Sequence, residues 1–153
     1  MRTWTATPGV NQFSQLVDWV AQEARAGTNS IGFLPKEEYR RAWIQRDLFI
    51  HFSDGRPRGF LLAGRPANCR RIKQLWVTPS ARLEGIGTRL IEQLERESAI
   101  QGSFKLQLRC AAELEAVLFW EKLGFELDAI QHGGSARDRM IYSYSREIQR
   151  KEG

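Results

Sequence analysis

The sequence predicts a mixed α/β (α+β) fold with a mostly antiparallel central sheet of six to seven strands and about four flanking helices. Apolar residues alternate between strand and helix spacing in the order strand, two helices, three strands, helix, strand, helix, two strands. The early apolar runs favour antiparallel hairpins, whereas the later strand–helix–strand crossover favours a parallel pair. The 153 residues fit a single domain over 1–153.

Seven short apolar or alternating runs are predicted to be strands because turn-forming residues bound them. They are residues 2–7, 48–52, 59–63, 72–77, 104–108, 125–130 and 140–145, the first as an edge strand. Asp54 and Gly55 form a hairpin signal within a loop predicted over 53–58.

Four segments carry apolar residues at helical spacing. They are residues 10–25, 35–45, a helix from Leu83 to near Gly102, and 114–123. Pro35 suits a first helical turn, and Gly124 suits the residue after a last one.

Composition excludes several classes of function. Cys69 and Cys110 lie too far apart for a zinc-ligand spacing and are predicted to be buried thiols, and with the isolated His51 and His132 they predict no metal site. The net charge of +5 and the pI of about 9.6 favour a mild attraction for anions, such as a phosphorylated cofactor. The sequence has no dense basic run of the kind that would indicate nucleic-acid binding. No apolar stretch reaches the roughly 20 residues of a membrane span, and no signal peptide is predicted, so we expect a cytoplasmic protein.

One predicted strand leads directly into a glycine-containing loop and a helix. The segment reads Leu75-Trp76-Val77-Thr78-Pro79-Ser80-Ala81-Arg82-Leu83-Glu84-Gly85-Ile86-Gly87-Thr88. Backbone N–H groups converge at such a helix start and, with the helix dipole, suit a pyrophosphate. Gly85 and Gly87 would let phosphates approach the backbone. Leu90 stands where a dinucleotide fingerprint needs a third glycine, and no Gly-Lys-Ser/Thr of a P-loop is present.

A second segment links an alanine-containing helix to a strand through the sequence Phe119-Trp120-Glu121-Lys122-Leu123-Gly124-Phe125. Alone, it is ordinary helix-to-strand chemistry. Together with Arg82-x-x-Gly85-x-Gly87, in this order and about 30 residues apart, it closely resembles the GNAT superfamily of N-acetyltransferases. The predicted element order resembles that family over nearly the whole chain.

The resemblance implies that acetyl-CoA binds as cosubstrate in a cleft where the parallel strands 72–77 and 104–108 splay apart. It implies that the backbone of Leu75, Trp76 and Val77 pairs with the pantetheine arm, and that an N–H near Val77 stabilises the developing oxyanion. The pyrophosphate would be held by Arg82, Leu83, Glu84, Gly85, Ile86, Gly87 and Thr88. Trp120 would also border the cofactor.

The proton-transfer residues of the family are absent from their usual positions. Trp120 replaces the tyrosine that many members use to protonate the thiolate, and an indole cannot give up a proton at neutral pH. Gln107 and Arg71 occupy the positions of two alternative bases, and Glu113 replaces a helix-start asparagine. The catalytic residues therefore stay unassigned, with Tyr39, His51, Tyr142 and Tyr144 as weak candidates.

These features predict an N-acetyltransferase in which an amine attacks acetyl-CoA directly. The alternatives are a non-catalytic acyl-CoA-binding module of the same fold and, third, a basic nucleic-acid-binding protein. By resemblance, residues 30–46 and 131–139 would select the acceptor, and Glu37, Glu38 and Asp47 could attract a cationic amine. The acceptor's identity is not encoded in a readable motif, and a homodimer is a further expectation from the family.

Overall fold

A computed structural model describes residues 3–6, 10–25, 35–65, 68–111, 114–132 and 140–148. Its strands are β1 (Thr3–Ala6), β2 (Leu48–Ser53), β3 (Arg56–Gly64), β4 (Cys69–Val77), β5 (Lys105–Ala111), β6 (Glu126–His132) and β7 (Met140–Glu147). Its helices are α1 (Val10–Arg25), α2 (Lys36–Ile44), α3 (Ile86–Ile100) and α4 (Leu114–Lys122), with a short 3₁₀ helix at Pro79–Ala81. The strand order is β1-β2-β3-β4-β5-β7-β6.

The predicted fold class is confirmed. The sheet is mixed and mostly antiparallel: β1–β2, β2–β3, β5–β7 and β6–β7 pair antiparallel, and β4–β5 pairs parallel. The element order is the predicted one, with β1 at an edge. In the parallel pair, Cys69 lies opposite Lys105 and Ile72 lies opposite Leu108. The splaying of this pair into a cleft stays a prediction.

The chain divides into two compact units, one of residues 1–64 with 74–96 and one of residues 65–73 with 97–153. The prediction of a single domain stays a prediction. No helix in the described ranges is long and apolar enough to cross a membrane.

The first unit has a core between the β2–β3 hairpin and the helices α1 and α2. Apolar residues recur along α1 at helical spacing and present one face to this core. The cluster consists of Phe13, Leu16, Val17, Val20, Tyr39, Ala42, Leu48, Ile50, Phe52, Phe60, Leu62 and Trp76. Trp43 stacks on Phe13 with ring centroids 4.8 Å apart, which fixes α2 against α1.

The second unit places α4 beside β6 and β7. Gly124 adopts φ +84°, and the N–H of Phe125 donates to the Trp120 carbonyl, so glycine ends α4 as predicted. Arg146 on β7 donates to the Leu123 carbonyl at 2.7 Å and lies over the Phe125 ring, 5.0 Å from its centroid. These contacts attach the end of α4 to β7.

Several local predictions were wrong. The β2–β3 loop is a two-residue turn, because Asp54 and Gly55 both adopt positive φ, 54° and 75°, and the strands extend to meet them. The third helix begins at Ile86 rather than Leu83, since Leu83 and Gly85 also have positive φ. Cys69 and Cys110 are only partly buried.

Candidate active site

The end of β4 presents its backbone in a defined direction. The N–H of Thr78 donates to the Arg58 carbonyl of β3 at 2.8 Å. Because N–H and C=O groups alternate sides along a strand, Trp76 also points its backbone groups towards β3, and Leu75 and Val77 point theirs away. Of the three predicted pantetheine-binding residues, Leu75 and Val77 therefore offer outward backbone groups, and Trp76 does not.

A bulge in β3 supplies the carbonyl that anchors this strand end. His51 pairs with Gly59 and Phe52 with Pro57, so Arg58 is the extra residue of β3. Bulges commonly occur beside active sites, where they redirect the chain. Arg58 was not predicted as a site residue, since a bulge depends on pairing that the sequence does not show.

The loop between β4 and α3 is shaped by positive backbone angles. Leu83 has φ +70° and a fully exposed side chain, and Gly85 has φ +81°. No atom lies within 4 Å of the position that a Cβ on Gly85 would take. The predicted role of Gly85 thus has a local cause: the turn needs a positive φ, and the space beside it is open.

The first turn of α3 follows directly. The N–H of Arg89 donates to the Gly85 carbonyl at 3.0 Å, which makes Gly85 the residue preceding the helix. Ile86, Gly87 and Thr88 form the first turn, whose N–H groups have no partner within a helix. These amides and the helix dipole make a suitable place for an anion.

Gly59 fixes where this helix start lies. A Cβ on Gly59 would come within 2.9 Å of Ile86 Cγ2, 3.1 Å of the Trp76 carbonyl oxygen and 3.3 Å of Leu90 Cδ1. The start of α3 therefore packs directly on β3, at a distance that only glycine permits. In the sequence, Gly59 stands at the start of an apolar run, and this pattern predicts a strand but not the close contact with α3.

Arg82 is folded back onto β4. Its Nε donates to the Val77 carbonyl at 3.0 Å, and its guanidinium carbon lies 4.7 Å from the centroid of the Trp76 ring. The resemblance implies that Arg82 helps to hold the pyrophosphate, and in the structure its side chain contacts the strand that precedes the loop.

His51 is buried beneath the same helix start. Ile50 and Phe52 face the α1–α2 core, so His51 lies on the opposite face of β2, and its neighbour Gly59 contacts α3. Burial lowers the pKa of His51 below its ordinary value of 6.5; the positive charge of Arg89 acts in the same direction, and the Glu84 carboxylate opposes it. His51 is therefore held neutral close to two residues of the loop and helix.

Trp120 occupies an aromatic cluster in the second unit. Its ring lies 4.9 Å from Phe119 and 5.2 Å from Phe125, in edge-to-face arrangements, and only 7% of the residue is exposed. This environment provides apolar surface, and the indole adds no ionisable group to it.

The two positions expected to hold a base lie side by side. Arg71 on β4 is the register partner of Gln107 on β5, and both side chains are partly exposed. A guanidinium and an amide offer hydrogen bonds but no group that accepts a proton at neutral pH. Glu113 lies outside the described residues.

The three candidate tyrosines differ in their surroundings. Tyr39 is buried in the first unit's core and donates to Gln74 Oε1 at 2.9 Å. In the second unit, Tyr142 is partly buried, with its ring 6.3 Å from that of Tyr144. Burial raises the pKa of Tyr144 above 10, and Glu121, Cys110 and Tyr142 act in the same direction. The Tyr144 hydroxyl has no hydrogen-bond partner within the described parts of the chain. Tyr39 and Tyr144 are thus buried in the packed interior of their units, and Tyr142 is the most accessible of the three.

The carboxylates expected to attract a cationic acceptor are unequal. Glu37 is exposed and lines a shallow depression of about 260 Å³ on α2 with Arg40, Arg41, Ile44 and Gln45. Asp47 is only 2% exposed. Its carboxylate is therefore not available for direct contact with an acceptor, contrary to the prediction. Two guanidinium groups beside one carboxylate also remove any simple preference for cations on this face.

Comparisons with known proteins identify the family. The model of the acetyltransferase (GNAT) domain family matches residues 21–132, more than half of the chain. No curated protein sequence matches this chain significantly.

Solved structures show the same fold over almost the whole chain. Ard1 from Thermoplasma volcanium aligns with a TM-score of 0.83 at 17% identity, covering 98% of this chain and 100% of that one. The ribosomal-protein-S18-alanine N-acetyltransferase from Escherichia coli gives 0.76 at 15% identity, covering 99% and 97%. An aminoglycoside 6'-N-acetyltransferase complexed with coenzyme A gives 0.76 at 18% identity, covering 100% of both chains.

These identities support the fold but carry no substrate from one protein to another. The family match is independent of them and covers β2 to β6, including the β4–loop–α3 segment described above. This chain therefore belongs to the GNAT acetyltransferase family.

Proposed function

We propose that this protein is an N-acetyltransferase that moves the acetyl group of acetyl-CoA to an amine by direct attack. The observation that carries the proposal is the backbone arrangement from Leu75 to Thr88. A strand end with outward-facing backbone groups, a loop with positive φ at Gly85 and the first turn of α3 follow one another within 14 residues. A family member complexed with coenzyme A supports the choice of ligand.

In this proposal two segments of the backbone bind two different parts of the cofactor. The backbone of Leu75 pairs with an amide of the pantetheine arm in the manner of an added strand, and the N–H of Val77 lies at the thioester end of that arm. The N–H groups of Gly85, Ile86, Gly87 and Thr88 bind the pyrophosphate, whose negative charge the helix dipole also favours. Neither part requires a particular side chain, except that Gly85 must accept a positive φ.

The reaction then needs little covalent participation by the protein. The nitrogen of a neutral amine attacks the thioester carbon, negative charge develops on the carbonyl oxygen, and the C–S bond breaks to release the CoA thiolate. The outward N–H of Val77 donates to the developing oxyanion. Holding both substrates in one complex supplies much of the acceleration, through orientation.

Two protons must move in this reaction. One leaves the acceptor ammonium to give the neutral amine that attacks, and the second leaves the nitrogen as the amide forms and reaches the thiolate through water. Trp120 takes part in neither transfer, because its indole N–H is not acidic at neutral pH. His51 is neutral and could accept a proton, although burial beneath α3 favours a structural role for it.

The environment of Trp120 also favours a second candidate. A chain with Trp120 at the family's acid position, and with Arg71 and Gln107 at its base positions, has the composition expected of a non-catalytic acyl-CoA-binding module. Turnover distinguishes the two functions, because both bind CoA and only the enzyme releases CoA from acetyl-CoA when an amine is present.

The test combines calorimetric titration of CoA with a thiol-release assay over a panel of small amines and peptides. Gly85→Glu should abolish CoA binding, since it places bulk and negative charge beside the helix start. Gly102→Glu is a matched control, because Gly102 has a similar φ of +85° and equally open surroundings. It should cost similar stability and leave CoA binding unchanged. Equal CoA affinity in wild type and a folded Gly85→Glu protein would remove the cofactor assignment, and binding without turnover on any acceptor would favour the non-catalytic module.

A further inference from the structure

The peptide unit between Val77 and Thr78 is held at both of its ends. Its N–H, from Thr78, donates to the Arg58 carbonyl at 2.8 Å, and its C=O, from Val77, accepts from Arg82 Nε at 3.0 Å. In a trans peptide these two groups point in opposite directions, so the two hydrogen bonds together fix the plane of the unit.

The Arg82 side chain that completes this arrangement is exposed and makes two contacts with β4. The Arg82 guanidinium lies over the Trp76 ring at 4.7 Å, and Trp76 is only 8% exposed. A planar cation that stacks on an indole while its Nε donates to a carbonyl makes a pair of contacts that lysine could not reproduce. The backbone N–H of Arg82 additionally contacts the Pro79 carbonyl at 3.4 Å.

We propose that Arg82 is a positioning residue, which orients the Val77 backbone for the oxyanion and does not act as a phosphate ligand. This rests on the proposed function, in which the Val77 N–H stabilises the thioester oxygen. Val77 carries that N–H on the same side of β4 as the carbonyl that Arg82 holds. The Val77 N–H belongs to the neighbouring Trp76–Val77 peptide unit, and a fixed Val77–Thr78 plane restricts rotation about the Val77 Cα–C bond that relates the two units.

The two roles of Arg82 predict different responses to a shortened substrate. S-acetylpantetheine has the thioester and the pantetheine arm of acetyl-CoA but no pyrophosphate. A residue that binds phosphate matters for acetyl-CoA alone, whereas a residue that orients Val77 matters equally for both donors. We therefore compare kcat/KM for the two donors in wild type, Arg82→Lys and Arg82→Gln, with a fixed acceptor.

Arg82→Lys keeps the positive charge and loses the planar group that stacks on Trp76. We expect it to lower kcat/KM by about tenfold to a hundredfold with either donor. This loss does not exceed the effect of removing an oxyanion donor completely, which is about a hundredfold to a thousandfold. Arg82→Gln should lower both by at least as much. Arg96→Lys, an exposed change on α3 at a residue that donates to Gln93, is the matched control and should alter neither value.

A second measurement does not depend on turnover. Amide hydrogen exchange at Thr78, followed by NMR, should become faster in both Arg82 variants, because the peptide unit is then held only by Arg58. A loss confined to acetyl-CoA, or unchanged exchange at Thr78 in a folded variant, would overturn the proposal. If wild type turns over neither donor, the proposed function fails, and the exchange rates alone decide whether Arg82 positions the peptide.

Discussion

Gly59 offers the most direct test of how the strands set the geometry of the loop between β4 and α3. It lies on β3 opposite His51, where a Cβ would meet Ile86 Cγ2 at 2.9 Å, the Trp76 carbonyl oxygen at 3.1 Å and Leu90 Cδ1 at 3.3 Å. Ordinary carbon contacts are about 3.5–4.0 Å. In Gly59→Ala, the side chains of Ile86 and Leu90 and the Trp76 backbone must therefore give way by several tenths of an ångström.

The expected cost follows from these contacts. Inserting a methyl group into a close-packed site costs about 1–3 kcal/mol, and replacing glycine with alanine returns about 0.4–1 kcal/mol through the unfolded state. We expect a net loss of about 1–2 kcal/mol in the free energy of unfolding. Because Ile86 is the first residue of α3, we also expect CoA affinity to fall about tenfold, the equivalent of one weakened hydrogen bond to a charged group.

Urea denaturation and calorimetric titration of CoA measure these two effects. Ile86→Ala removes the closest atom, so a double-mutant cycle isolates its share: Gly59→Ala should cost less in the Ile86→Ala background. Stability within about 0.5 kcal/mol of wild type in Gly59→Ala, or the same cost in both backgrounds, would refute the packing argument.

Two further predictions concern the same unit. Leu83 has φ +70° and is fully exposed, so Leu83→Gly should raise the free energy of unfolding by about 1 kcal/mol in urea denaturation, whereas Leu83→Ala, which keeps the unfavourable φ, should not. Because the pKa of His51 is lowered in the folded protein, the unfolded chain binds more protons as the pH falls below about 6.5, and stability that is complete above that value is lost towards lower pH. Denaturation between pH 5 and 8 should show this slope in wild type and in the exposed-site control His132→Gln, and a weaker slope in His51→Gln; an unchanged slope in His51→Gln would contradict the assignment.

Much of the fold was readable because the apolar periodicity is strong. Helix α1 has the predicted bounds, and Gly124 ends α4 as expected. The start of β4 was missed because Cys69-Arg70-Arg71 reads as polar. Arg70 is nevertheless only 1% exposed: its guanidinium donates to Gln101 Oε1 at 2.8 Å and to Ser98 Oγ at 3.4 Å. Such tertiary hydrogen bonds decide the burial of an arginine, and local sequence does not contain them.

The candidate site divides in the same way. The glycine spacing in Arg82-x-x-Gly85-x-Gly87 located the loop, because positive φ and close approach restrict the residue type directly. The folded-back Arg82 side chain and the Arg58 bulge could not be predicted, since both depend on which strand neighbours which.

In the proposed function, the difference between backbone and side-chain chemistry explains why a cofactor site could be proposed from the sequence whereas the acid and base could not. In the proposed function, pyrophosphate and pantetheine recognition uses backbone N–H and C=O groups, which almost every residue type supplies, so it does not depend on particular side chains. Proton transfer needs specific side chains with suitable pKa values, and these can move to another strand or be left to water. Trp120 and the Arg71–Gln107 pair are substitutions that the backbone tolerates without any change of fold. In the proposed function, the groups that transfer protons must therefore be located from pH–rate profiles of this chain and not by position from its relatives.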